Sequence, residues 1–140
     1  HFSKKCIERV VTLILYHDYR CAPTQRAVKR LLQKTGADIA RQLAWIRRAD
    51  IAAQSDFRRA EKIGLIKAYE TTLQAVLQNG DCFSLRDLAV CGDDLLALGI
   101  PQGKQVGLLL NRLLDMVIDD SLPNKKDVLL QKAKQLFYSE

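Results

Sequence analysis

The sequence predicts an all-α fold, a bundle or array of about seven to eight helices in two lobes. Three observations carry this reading. Nearly every segment repeats its apolar residues at i, i+3 and i+4, the period of a helix and not of a strand. The punctuation at Pro23, Gly36, Asn79-Gly80, Gly99 and Pro101 comes often enough for short turns between helices. With 48% of 140 residues apolar and 27% charged, the chain can bury a core and still cover it with solvated side chains.

Residues 4–17 set Ile7, Val10, Val11, Ile14 and Leu15 along one stripe of a first helix, which Tyr16-His17-Asp18-Tyr19-Arg20 closes. Ala22-Pro23-Thr24 opens the next, because Pro suits a first turn and Thr can cap it. This second helix, about 24–34, turns Val28, Leu31 and Leu32 inward and shows Arg26, Lys29, Arg30 and Lys34 on its other face. It ends before Gly36. The third, from about Ala37 to Gln54, carries Ile39, Leu43, Ile46 and Ile51 on its stripe, with Trp45 beside it. A fourth, from Asp56 to Leu77, stops at Asn79-Gly80. Gly64 inside it costs about 1 kcal/mol against Ala and points to a kink or a close helix approach.

The lobes divide here, into 1–79 and 80–140. Ser84-Leu85-Arg86-Asp87 has the form of a capping box and opens a short helix ending near Val90. A second short helix, about 93–98, closes at Gly99. Pro101 starts a longer one through Asp119, with Val106, Leu109, Leu110, Leu113, Leu114 and Val117 on one side. Asn124 caps a last helix whose Val128, Leu129, Ala133, Leu136 and Phe137 face the core.

The net charge of +6 is unevenly spread. Residues 1–67 hold 15 Lys/Arg against 6 Asp/Glu, or +9, while 68–140 hold 7 against 10, or −3. A basic half joined to a mildly acidic one suits a chain that meets a polyanion with one part, and this outweighs a merely basic solvated surface. No apolar run approaches the roughly 18 residues of a membrane span. His1-Phe2-Ser3-Lys4-Lys5 carries no signal-peptide pattern, so a cytoplasmic location without a membrane partner is expected. A start on His and not Met leads us to expect further sequence upstream. Cys6, Cys21, Cys82 and Cys91 form no CxxC pair and read as buried or half-buried free thiols, not metal ligands.

Catalytic signatures are missing. No phosphate-binding loop, GxSxG elbow or HExxH occurs, and the neighbouring acids Asp93-Asp94 and Asp119-Asp120 point about 100° apart on a helix. His17-Asp18, followed far downstream by Asp50, is reminiscent of metal-dependent phosphohydrolases built on His-Asp pairs. With only His1 and His17 in the chain their ligand set is incomplete, so local capping and pairing is the better reading and no metal is expected. The turn Gly99 to Gly107 is more informative. A helix start there, with Lys104 beside it, offers free backbone N–H groups to a phosphate; a tight helix corner that needs Gly for close packing explains it equally well.

One ordered series goes further. Ser84-Leu85-Arg86-Asp87-Leu88-Ala89-Val90-Cys91-Gly92-Asp93-Asp94-Leu95 is followed by Leu98-Gly99-Ile100-Pro101-Gln102-Gly103-Lys104-Gln105-Val106-Gly107. Leu110, Leu113-Leu114, Val117, Asn124 and Leu129-Leu130 come after. The series resembles the carboxyl-terminal, RNA-binding body and tail of class II bacterial tRNA nucleotidyltransferases, the CCA-adding enzymes and their poly(A) polymerase relatives. Tyr16-His17-Asp18-Tyr19-Arg20 and Arg48-Ala49-Asp50-Ile51-Ala52-Ala53-Gln54-Ser55 are similar to the degenerate His-Asp segment that precedes it in many members. The likeness spans nearly the whole chain.

The resemblance implies a parent enzyme that adds cytidine, cytidine and adenosine to tRNA 3′ ends with CTP, ATP and Mg²⁺. Its catalytic head is expected upstream in the same chain. The head's metal-binding carboxylates and the neck's nucleotide-selecting pair are absent here, so this part is not expected to be catalytic and to hold no cofactor of its own. What remains is expected to grip tRNA through basic helix faces, because A-form RNA offers little sequence readout in its deep groove. The candidate contacts are Arg26, Lys29, Arg30, Arg47 and Arg48, with Gly103, Lys104 and Gly107 as a second anchor and His17, Asp18 and Asp50 as the His-Asp remnant. The rival readings are a fragment of a His-Asp phosphohydrolase and a helical scaffold module.

Overall fold

A computed structural model describes residues 2–54 and 57–138, and among them the fold is all-α. Four helices, α1 (Lys4–Tyr16), α2 (Gln25–Thr35), α3 (Ala37–Ala53) and α4 (Arg59–Gln78), form one compact unit, His1–Gly80. A 3-10 turn at Leu85–Asp87 and α5 (Gly92–Ala97), α6 (Lys104–Ile118) and α7 (Lys126–Tyr138) form another, Asp81–Glu140. The expected start of the fourth helix at Asp56 lies outside the described residues.

In the first unit, α2 begins where Thr24 accepts a hydrogen bond from the Ala27 N–H, and it ends at Gly36, whose φ of 79° suits glycine. Its Val28, Leu31 and Leu32 meet Ile39, Ala40 and Leu43 of α3 and Ile66, Tyr69, Leu73 and Val76 of α4 in a buried layer. Two side chains pin α4 across that layer. The Tyr69 hydroxyl donates to the Ala40 carbonyl at 3.0 Å, and the Thr72 hydroxyl donates to the Pro23 carbonyl at 3.2 Å. Burial pushes the Tyr69 phenol well above its ordinary value, so it stays a neutral donor.

α1 departs from expectation. It packs on α3, where Arg9 Nε donates to Gln42 Oε1 at 3.1 Å, yet it buries no residue. Ile7, Val10, Val11, Ile14 and Leu15 are 48–73% exposed, so the apolar stripe faces outward. The reason is helical phase: Arg9, Leu13 and Tyr16 lie on the side opposite the stripe, and half-buried Leu13 and Tyr16 mark the packed side. Trp45 is likewise exposed, at 67%, and Ile46 lies outside the core. Gly64 does not serve a close helix approach, since nothing stands within 4 Å of the Cβ it lacks.

The second unit centres on Leu95, Ile100, Leu113, Leu114, Ile118, Leu129 and Ala133. The Ser84–Asp87 capping box forms, with the Ser84 N–H donating to Asp87 Oδ2 at 2.9 Å. A second box uses Cys91 as cap, its N–H donating to Asp94 Oδ2 at 2.9 Å. α6 starts at Lys104 rather than Pro101, because Gly103 breaks the backbone with φ 146°. Asn124 does not cap α7, which begins at Lys126. Its side chain instead accepts from the Ala89 N–H at 2.8 Å and donates to the Asp87 carbonyl at 2.7 Å, tying the 84–90 segment to the α6–α7 loop. Lys126 holds Asp94 at 2.6 Å, joining α7 to α5. Of the thiols, Cys21 and Cys82 are buried as expected, whereas Cys6 and Cys91 are exposed.

Candidate nucleic-acid interface

The basic residues of the first unit fall into three settings. On α2, Arg26 is exposed, Arg30 is half-buried and donates to Gln33 Oε1 at 3.3 Å, and Lys29 is 7% exposed. The expectation that Lys29 stands on a solvated face is therefore corrected. One turn of helix separates Val28 and Leu32, and Lys29 lies at the edge of that buried arc, where a long side chain is covered together with its neighbours.

On α3, Arg48 forms a forked pair with Glu70 of α4, Nε donating to Oε1 at 2.7 Å and Nη2 donating to Oε2. The hydrogen bonds and charge of Glu70 raise the Arg48 guanidinium above its ordinary value, and Arg48 in turn lowers the Glu70 carboxyl. Any anion approaching Arg48 competes with this carboxylate.

Arg47 stands differently. It is half-buried and lines a small cavity of about 130 Å³ together with Arg20, Lys62, His17, Asp18 and Asp50. The structure thus brings His17, Asp18 and Asp50, distant in sequence, onto one rim. Their geometry is one of local pairing. His17 Nδ1 lies 2.6 Å from the Ile14 carbonyl oxygen and Nε2 lies 3.1 Å from Asp18 Oδ2. Asp50 accepts a hydrogen bond from Gln54 Nε2 at 2.7 Å, and Gln54 Oε1 accepts one from Lys62 Nζ at 2.7 Å. Among the described residues no three His, Cys, Asp or Glu side chains gather closely enough to hold a metal ion.

Arg20 and Lys62 were not among the sequence candidates. For Arg20 a signal was there, since it closes the Tyr16–Arg20 segment; nothing local marks Lys62, two residues before Gly64 in α4. Their convergence on Arg47 depends on how α1, α3 and α4 pack, which periodicity does not encode.

In the second unit, Gly103 precedes α6 and Lys104 and Gly107 are exposed on its first turn. Nothing lies within 4 Å of a Cβ at either glycine, so neither is there for close packing. Gly103 serves the backbone turn through its positive φ.

These features define an all-α region whose basic unit carries most of the candidate contacts. The chain belongs to the tRNA nucleotidyltransferase domain 2 family, whose model matches residues 1–133. No curated protein and no solved structure matches it. Among the described residues no helix is long and apolar enough to cross a membrane.

Proposed function

We propose that this chain is the tRNA-gripping region of a CCA-adding tRNA nucleotidyltransferase, a poly(A)-adding relative being the same reading with another product. The catalytic head, working with Mg²⁺, CTP and ATP, belongs to the same polypeptide, in a cytoplasmic enzyme. The observation that carries this is the family match over residues 1–133. The residues here do not fit the metal's role, for want of a clustered ligand set among the described residues, so no chemical step is placed on this chain.

Gripping is electrostatic in this reading. The Arg20, Arg26, Arg47 and Lys62 side chains meet phosphates of the acceptor stem and elbow, and Lys104 adds a second anchor at the start of α6. Lys29 is withdrawn from this role by its burial. The test is a titration of the chain against tRNA, a duplex RNA of equal length and duplex DNA at several salt concentrations. Preference for tRNA, with a log–log salt slope of about three or more, is expected, since each phosphate contact contributes just under one unit. Equal, weak binding to all three would sink the proposal and leave a helical support for the head.

A further inference from the structure

We propose that the hollow between the α1–α2 loop, α3 and α4 is a seat for a single phosphate group, held by Arg20, Arg47 and Lys62. Three separate parts of the chain deliver these cations: Arg20 from the loop after α1, Arg47 from α3 and Lys62 from α4. The cavity, about 130 Å³, suits a tetrahedral oxyanion and is too small for a nucleoside.

Three cations face two carboxylates at this place, so positive charge is in excess. Among the described residues neither Arg20 nor Arg47 forms an ion pair, and Lys62 donates to a neutral amide oxygen, leaving further ammonium N–H groups. The two carboxylates on the rim are already engaged, Asp18 by His17 and Asp50 by Gln54. Gln54 does both jobs at once, holding Asp50 on its amide nitrogen and Lys62 on its amide oxygen. Cys21 and Tyr69, which also feel the charge of Arg47, are neutral. Burial pushes the Cys21 thiol up to about 11 although Arg47 pulls it down, and the Tyr69 phenol is raised too. Two guanidinium forks and an ammonium lining a small hollow are the donors that the oxygens of a phosphate accept from.

The phosphate has two sources, the backbone of an RNA or a free phosphate. As a backbone contact the seat rests on the RNA-binding proposal above; as a phosphate site it does not. The experiment therefore has two arms on the full chain. One follows backbone amide resonances during titration with inorganic phosphate. The other measures tRNA affinity at several salt concentrations. Both compare the parent with Arg20→Gln/Lys62→Gln and with Lys34→Gln/Lys67→Gln, which removes the same charge away from the cavity.

Phosphate is expected to shift the amides of residues 17–20 and 47–50 in the parent and in the Lys34/Lys67 variant, and not in the Arg20/Lys62 variant. The cavity variant is expected to lose about tenfold in tRNA affinity and about 0.9 units of salt slope beyond the loss of the charge-matched one. Cavity shifts with phosphate but no tRNA binding by any form would keep the seat, fail the RNA reading and identify free phosphate as the source. Equal tRNA losses in both variants, without phosphate shifts, would overturn the seat and leave RNA held by a diffuse basic surface. Asp50→Asn gives a gain-of-binding check, since it can keep the Gln54 bond and removes one rim charge. It is expected to tighten phosphate binding severalfold, and weaker binding in a variant with an unchanged spectrum elsewhere would also overturn the seat.

Discussion

Arg48 donates two hydrogen bonds to Glu70, whereas Arg47, one residue earlier, lines the hollow beside Arg20. Two adjacent arginines thus offer an anion different things, and the difference is set by what α4 places opposite each. Removing the competing charge with Glu70→Gln is expected to release Arg48 to an incoming phosphate, raising tRNA affinity and steepening the salt slope by about 0.9 units. An unchanged slope in the binding titration would show that Arg48 lies outside the RNA footprint. In the second unit Asp94 is held down to about 2 from an ordinary 3.8, first by Lys126 and then by the Cys91 N–H and thiol. A carboxyl lowered on folding adds stability above its unfolded value and loses it as pH falls through the folded one. The contribution of Asp94 is therefore full above about pH 4 and fades between 3.8 and about 2. Helical circular dichroism during urea unfolding at pH 6 and pH 3 is expected to show Asp94→Asn costing stability at the higher pH and less at the lower. A cost independent of pH would deny the ion pair this role.

At the scale of the element, α1 separates what a sequence shows from what it does not. The spacing of Ile7, Val10, Val11, Ile14 and Leu15 is legible as a helix with an apolar stripe, and that helix is present as Lys4–Tyr16. Which side of it meets α3 is a property of packing, and here the stripe is the side left out. Other helices were legible in both respects where apolar residues from two elements meet, as with Val28, Leu32, Leu43 and Leu113. Asn124 fails for a related reason: a capping residue looks the same in sequence whether its partner is the next helix or a loop 35 residues upstream. Lys29 and the Arg20–Arg47–Lys62 hollow likewise depend on tertiary neighbours that no local pattern specifies. The exposed stripe makes a sharp stability contrast. Ile14→Asp with Leu15→Lys is expected to leave the urea midpoint nearly unchanged and to raise solubility, because these side chains are mostly exposed. Leu43→Ala, in the core, is expected to cost about 2–5 kcal/mol. A large loss from the α1 pair would mean that the stripe is covered in the folded chain.

Across the whole molecule, charge follows the two compact units. Residues 1–80 hold 15 Lys/Arg against 7 Asp/Glu, or +8, and 81–140 hold 7 against 9, or −2. Much of the first unit's charge is paired locally, as in Arg41 with Asp38 and Arg58 with Glu61, so the field felt by a distant polyanion comes from the excess. The second unit carries a net negative charge, so any hold on RNA there needs backbone N–H groups and a local cation to offset it, the role proposed for Lys104 at the start of α6. Two triple variants of the full chain divide these contributions. Neutralising Lys5, Lys34 and Lys67 with Gln is expected to weaken tRNA binding at low salt by about tenfold or more, because each removes positive charge from the basic unit. Neutralising Lys104, Lys125 and Lys134 in the same way is expected to cost less, with most of the loss recovered when Lys104 alone is restored. Recovery spread evenly over the three lysines would mean that the α6 start is no anchor and that charge anywhere on the second unit counts alike. Equal losses from both triples would spread the RNA footprint over both units, and the seat beside Arg47 would then be one contact among many.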